Sequence, residues 1–181
     1  MTINGTDYQI DIIGKNHDTY AAGGTAPLTF QMHDCYALNK MNSSRTNVGG
    51  WADSEMRNTH LPAILALMPS EVRASIREVN KKTSKGDTSS RIVTTADKLF
   101  LLSEIEIFGS TNASVSGEGT QYDYYKAGNS NVKTLNGSAN NWWERSPSGG
   151  NSNRFCVVTT NSSAGHSYAD NERGVSFAFC F

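Results

Sequence analysis

Four histidines, three cysteines and the adjacent Glu144–Arg145 pair are the residues whose types could do chemistry. His17, His33, His60 and His166 share no metal-ligand spacing, and no cysteine or carboxylate cluster joins them. No metal and no cofactor is therefore expected. His17-Asp18 and His33-Asp34 are neighbours in sequence, yet neither a Gly-x-Ser-x-Gly elbow nor a catalytic cysteine setting accompanies them. Cys35, Cys156 and Cys180 are odd in number and widely spaced, which gives neither a metal pattern nor a disulfide framework. Cys156 and Cys180 fall in apolar strand patterns, so three reduced thiols are expected. Glu144 and Arg145 stand between Trp142-Trp143 and Ser146-Pro147. A charge beside buried aromatics must be paired, so both are expected as hydrogen-bonded supports rather than catalysts. These readings argue against an enzyme.

What remains is recognition, and it concentrates in the last forty residues. Trp142, Trp143, Phe155, Val157, Val158, Val175, Phe177 and Phe179 alternate or cluster as buried strand residues do. Between them, Ser148–Arg154 and Thr160–Arg173 read as loops, since Gly, Asn, Asp and Ser favour turns and short local hydrogen bonds. An apolar floor carrying polar loops is the arrangement of a binding face.

The elements that must hold this face are short. Tyr8–Ile13 and Leu28–Met32 read as strands, separated by a Gly-rich loop from Gly14 to Ala26. Asn42–Gly50 is a polar turn region. Asp53 or Ser54 can cap a helix through Met56 and Leu61, with Pro62 dividing it, and Pro69-Ser70-Glu71 resembles a second start. Ile76–Thr83 is either the end of that helix or a strand, and Arg91–Thr95 looks like a partner strand across a turn at Lys85-Gly86-Asp87. Lys98–Leu102 reads as an apolar strand and Ser103–Phe108 as a Ser-capped helix with Glu104 and Glu106 exposed. Gly109–Asn140 is a long irregular stretch in which Tyr122, Tyr124 and Tyr125 are expected to pack the loop.

The 181 residues suit one domain, 1–181, with a core of its own. A hydrophobic content of 37% with abundant Gly points to a loop-rich soluble protein. A net charge of -1 argues against a nucleic-acid partner, and Arg77, Lys81, Lys82 and Lys85 read as a solvated face. No stretch approaches the ~20 apolar residues of a membrane helix, and the first residues carry no signal-peptide pattern.

Seven segments together resemble a known group: Gly14-Lys-Asn-His-Asp18, Ala26-Pro-Leu-Thr-Phe30, Gly49-Gly-Trp51, Ser54-Glu-Met-Arg57, Thr95 through Ser103, Trp142-Trp-Glu-Arg-Ser-Pro147 and Gly174-Val-Ser-Phe-Ala-Phe179. They are similar to an uncharacterised family of gut phages, prophages and Gram-positive bacteria whose C-terminal half is similar to the C-type lectin fold. The fold implied is α+β and loop-rich, with small mixed or antiparallel sheets and two or three short helices. Members resemble the variable proteins of diversity-generating retroelements, in which template adenines are mutated and Asn codons scatter into other types. The resemblance implies a variable ligand-binding region at 140–174. Its first part would be Asn140, Asn141, Ser148, Asn151, Asn153 and Arg154; its second Asn161, Ser163, His166, Tyr168, Asp170, Asn171 and Arg173. Trp142, Trp143, Glu144, Arg145, Phe155 and Phe177 would be fixed scaffold. The implied partner is a variable protein or glycan on a bacterial surface. The implied carrier is a phage tail-fibre or receptor-binding component, on the virion or in the bacterial host. Calcium-lectin elements such as Glu-Pro-Asn or Trp-Asn-Asp are absent, as is the exposed cysteine pair of the similar formylglycine-generating enzymes. A phage structural or assembly protein with merely solvated loops is the alternative from another class.

Overall fold

In the computed structural model, which describes residues 1–181, fourteen short strands form five sheets with brief helices between them. β1 (Thr2–Ile3) and β2 (Thr6–Asp7) make a small antiparallel pair. β3 (Ile10–Lys15) and β4 (Leu28–Met32) follow, with β5 (Ala37–Asn39) after them. β6 (Val79–Ser84) and β7 (Ile92–Asp97) pair along six positions, so the undecided segment before Lys85 is a strand from Val79 onward. β8 (Lys133–Leu135) pairs with β9 (Ser138–Asn140). β10 (Trp142–Pro147), β11 (Arg154–Val158), β12 (Ala164–Tyr168) and β13 (Arg173–Val175) join β5 in one sheet of order β12-β11-β10-β13-β5. β14 (Ala178–Cys180) closes a three-stranded sheet of order β14-β4-β3.

The architecture is α+β with mostly antiparallel pairing; β10 and β13 make the one parallel contact among these named strands, at Trp142 and Gly174. The helices are α1 (Gly50–Asp53), α2 (Leu61–Ala66), α3 (Ser70–Ser75), α4 (Glu104–Phe108) and α5 (Asp123–Lys126), with a π-helical turn over Met56–His60. That is more helices than the two or three expected, each a turn or so long. α1 begins four residues before Ser54, because Gly49 and Gly50 adopt positive φ and let the chain turn into it. A Cβ on Gly50 would run into the carbonyl oxygen of Ser84. Pro62 sits in the first turn of α2 and divides the segment as expected, since its missing N–H costs nothing there.

Ser103 caps α4 in a capping box with Glu106. Glu104 and Glu106 are buried, not exposed. Glu104 accepts N–H bonds from Ala113 and Ser114, while Glu106 meets Lys81 and Arg145. Lys81 is likewise buried rather than part of a solvated basic face, paired with Asp18 at 2.8 Å. Lys98–Leu102 is not a strand; it bends at Lys98 and Leu99, buries Leu99 to Leu102, and is tied to β14 by mutual backbone bonds between Phe100 and Ala178.

One hydrophobic cluster runs from Ile3 to Cys180 and includes Tyr122 and Tyr125, so the long middle stretch is indeed packed by its own tyrosines. On β4 the buried alternation is polar. Gln31 donates to Ser176 and accepts from the Tyr125 hydroxyl at 2.6 Å, and Thr29 donates to Asp18. Phe30 instead stacks on Phe179 and meets Phe181 edge-on. Hydrogen bonding, not hydrophobicity, decides which face of β4 points inward. All three cysteines are free and buried, with the thiols of Cys35 and Cys180 pushed by burial up to about 12.

Candidate functional site

The segment expected as a loop from Thr160 to Arg173 contains a strand. β12 pairs with β11 along five positions, from Arg154 opposite Tyr168 to Val158 opposite Ala164. Only one of its side chains, Ser167, is buried, so it needs no apolar alternation to be held. Backbone bonding to β11 suffices for an edge strand.

The open end of this hairpin holds a cavity of about 220 Å³ lined by Arg154, His166, Ser167, Tyr168, Asn171 and Arg173. Five of these six belong to the expected variable set. Tyr168 organises them: its hydroxyl accepts from Arg154 Nη2 at 3.0 Å, and its ring lies 4.5 Å from the Arg154 guanidinium carbon. That hydrogen bond and charge hold the phenol below its ordinary pKa. Asp170 lies alongside, taken by Arg45 Nε at 3.1 Å.

Arg45 is the participant that sequence reading missed. Its guanidinium sits 4.2 Å from the Tyr168 ring centroid, across 123 residues of chain (168 − 45). The polar turn that carries it offers no signal of such a partner.

The other expected positions are elsewhere. Asn161 and Ser163 lie in the β11–β12 turn, beyond Ala164, which is four strand positions and hence roughly 13 Å from Tyr168. Asn140 ends β9, and Asn141 accepts from the Thr160 N–H at 2.9 Å. Asn151 and Asn153 lend their carbonyls to Asn47 Nδ2 and Ala169 N–H. Ser148 is 2% exposed and closes a turn with Arg154, so its side chain is out of a ligand's reach.

The aromatic residues expected as scaffold are fully buried. Trp142, Trp143, Phe155 and Phe177 are all 0% exposed. Both tryptophans are buried because β10 is the middle strand and is covered on both faces. Trp142 Nε1 donates to the Asn131 carbonyl and Trp143 Nε1 to the Asn39 carbonyl, at 2.9 and 2.8 Å. Arg145 is the expected support: it meets both Glu106 oxygens and the carbonyls of Leu101, Lys82 and Glu118. Glu144 is not. Its two carboxyl oxygens are buried without any hydrogen-bond partner, and burial pushes its pKa well above the carboxylate range.

A larger opening of about 620 Å³ has no hydrophobic lining and reaches Asp18, Lys81, Glu106 and Glu118. Burial would raise Asp18, but the Lys81 charge and bonds from Lys81, Thr29 and Tyr122 bring it down to about 2. Burial pushes Glu118 up to about 7 against hydrogen bonds from Ser146 and the Ser84 N–H. These charged groups are satisfied by one another or by Arg145, Tyr122, Ser146 and the backbone, which is how a structural network behaves. No group of three or more His, Cys, Asp or Glu is placed to hold a metal ion, and no helix is long and apolar enough to cross a membrane.

Fold and site together define an α+β protein that presents an arginine-rich polar cavity at the edge of an antiparallel hairpin. The chain belongs to the family described as Domain of unknown function (DUF6273), whose model matches residues 28–181, from the start of β4 to the C-terminal residue of the chain. No curated protein and no solved structure matches it.

Proposed function

We propose that this protein is a non-enzymatic ligand-binding module of C-type-lectin-like fold whose surface within 140–174 is diversified. On this reading it serves a phage as a receptor-binding or tail-associated component and meets a protein or glycan on a bacterial surface. The observation that carries the reading is the contrast in burial between two residue sets of the C-terminal region. Arg154, His166, Tyr168, Asn171 and Arg173 gather around an open cavity, while Trp142, Trp143, Phe155 and Phe177 lie fully buried. Side chains of the first set can change without disturbing the second, which is what a diversified face requires.

The side-chain bond of Asn141 and the burial of Ser148 take those two positions out of the face, whereas Asn151 and Asn153 are held through their backbone carbonyls alone in the bonds to Asn47 and Ala169. At Asn141 and Ser148 this favours the second reading, a phage structural or assembly protein. Sequencing the locus across related genomes tests the choice. Substitutions confined to the cavity positions, traceable to adenines of a neighbouring template repeat, are expected. Changes falling equally on Trp142, Phe155 and Phe177 would leave only the structural role.

A further inference from the structure

We propose that the cavity between β11, β12 and the start of β13 is an oxyanion site that takes one carboxylate, sulfate or phosphate group of a ligand. This rests on the reading that the face meets a ligand, and it names the chemistry of what is met.

Two guanidiniums, Arg154 and Arg173, and the imidazole of His166 line the cavity, and no carboxylate does. Other arginines drawn against the fold are neutralised: Arg57 by Asp97 at 2.6 Å and Arg145 by Glu106. Arg154 and Arg173 have no such partner. Arg154 donates only to the Tyr168 hydroxyl, and Arg173 only to the Glu172 carbonyl at 2.8 Å. The Nε of each is shielded from water and has no acceptor. The groups an anion in the cavity can meet are the outer guanidinium nitrogens: Arg154 Nη1 and Arg173 Nη2 have no protein acceptor and are not shielded.

The nearby acids do not cancel this charge. Asp170 is held by Arg45, and the Glu172 side chain is exposed. Arg154 is already fixed against the Tyr168 ring and hydroxyl, and Asn171 is fixed by its 3.0 Å bond to Ser167 Oγ. Little ordering remains to be done on binding, and a planar guanidinium fork matches an oxyanion in two-point contact. The volume, about 220 Å³, suits one small acidic group rather than a folded surface.

The test is titration of the full chain with glucuronate, inorganic sulfate and inorganic phosphate in low-salt buffer, by calorimetry and by backbone amide shifts. At least one should bind saturably at a single site, shifting amides of β11 and β12. R154Q and R173Q should each weaken it by about tenfold or more. R77Q, at a guanidinium stacked on Tyr20 outside the cavity, should leave it unchanged. Circular dichroism establishes that each variant is folded. Glucuronate alone would assign an acidic sugar or another carboxylate; sulfate or phosphate alone would assign a tetrahedral group. No saturable binding by any of the three, or equal loss in R77Q, overturns the proposal. If the anions fail while substitutions stay confined to the cavity positions, the binding face stands and only its chemistry is wrong. If anions bind while substitutions are spread evenly, the oxyanion site stands and only the diversification is wrong.

Discussion

Arg145 and Glu144 are neighbours on one strand with opposite circumstances. Arg145 is saturated, its guanidinium spread across a carboxylate and three backbone carbonyls from separate segments. Removing it leaves Glu106 with Lys81 and the Ser103 N–H alone and takes a donor from each of those carbonyls. Arg145→Ala should therefore lose about 3–5 kcal/mol of stability, read from the urea midpoint. Arg145→Lys should recover only part, since a point charge on a flexible stem cannot reach the same set of acceptors. Both charges beside the tryptophans could be foreseen as buried. That one would be paired and its neighbour orphaned depends on Leu101, Glu106 and Glu118, which arrive from elsewhere in the chain.

Among the elements, β10 and β11 are the most firmly held and the small hairpins the least. β10 has partners on both sides and all six of its residues buried, whereas β1–β2 and β8–β9 are two-stranded pairs. Native-state hydrogen exchange should show the amides of β10 and β11 exchanging last, at the global unfolding free energy, with β1–β2 and β8–β9 opening first. Fast exchange in β10 would mean that the sheet is not the floor of the binding face. β12 should fall between, since it is an edge strand bonded on one side. The α4 cap was readable because Ser103 and Glu106 stand three residues apart and act locally. β12 was not, because Ala-Gly-His-Ser-Tyr carries no apolar alternation and is a strand only through its pairing with β11.

For the whole molecule, buried acids set the dependence of stability on pH. Glu118, pushed up to about 7, and Glu144, pushed well above its ordinary range, keep protons in the fold that the unfolded chain gives up above about pH 4.5. The folded state binds more protons there, so stability falls as pH rises through that window. Asp18 acts in the opposite sense: held at about 2, its contribution is present above the unfolded value of 3.8 and lost as pH drops towards 2. The melting temperature should peak on the acidic side of neutrality and decline between about pH 5 and pH 8. Glu144→Gln, which cannot ionise, should flatten that decline. An unchanged slope in the variant would mean that Glu144 ionises in the fold much as it does in the unfolded chain.

The sequence by itself determined what local chemistry can determine. The Leu28–Met32 strand, the Ser103 cap, the division at Pro62 and the apolar residues of β10, β11 and β14 all follow from residue type and near spacing. So does the absence of any metal-ligand or nucleophile pattern. The tertiary structure alone decided which polar residues lie inside, because Lys81, Glu104, Glu106 and Gln31 are buried by partners up to 145 residues away. It also decided which members of the polar C-terminal stretch share one surface. Arg154 and Tyr168 meet through strand register, Arg45 joins them from the other end of the chain, and Ser148 withdraws into a turn. A polar side chain carries no mark of where its partner lies; only the folded chain brings donor and acceptor, or two unpaired cations, to the same place.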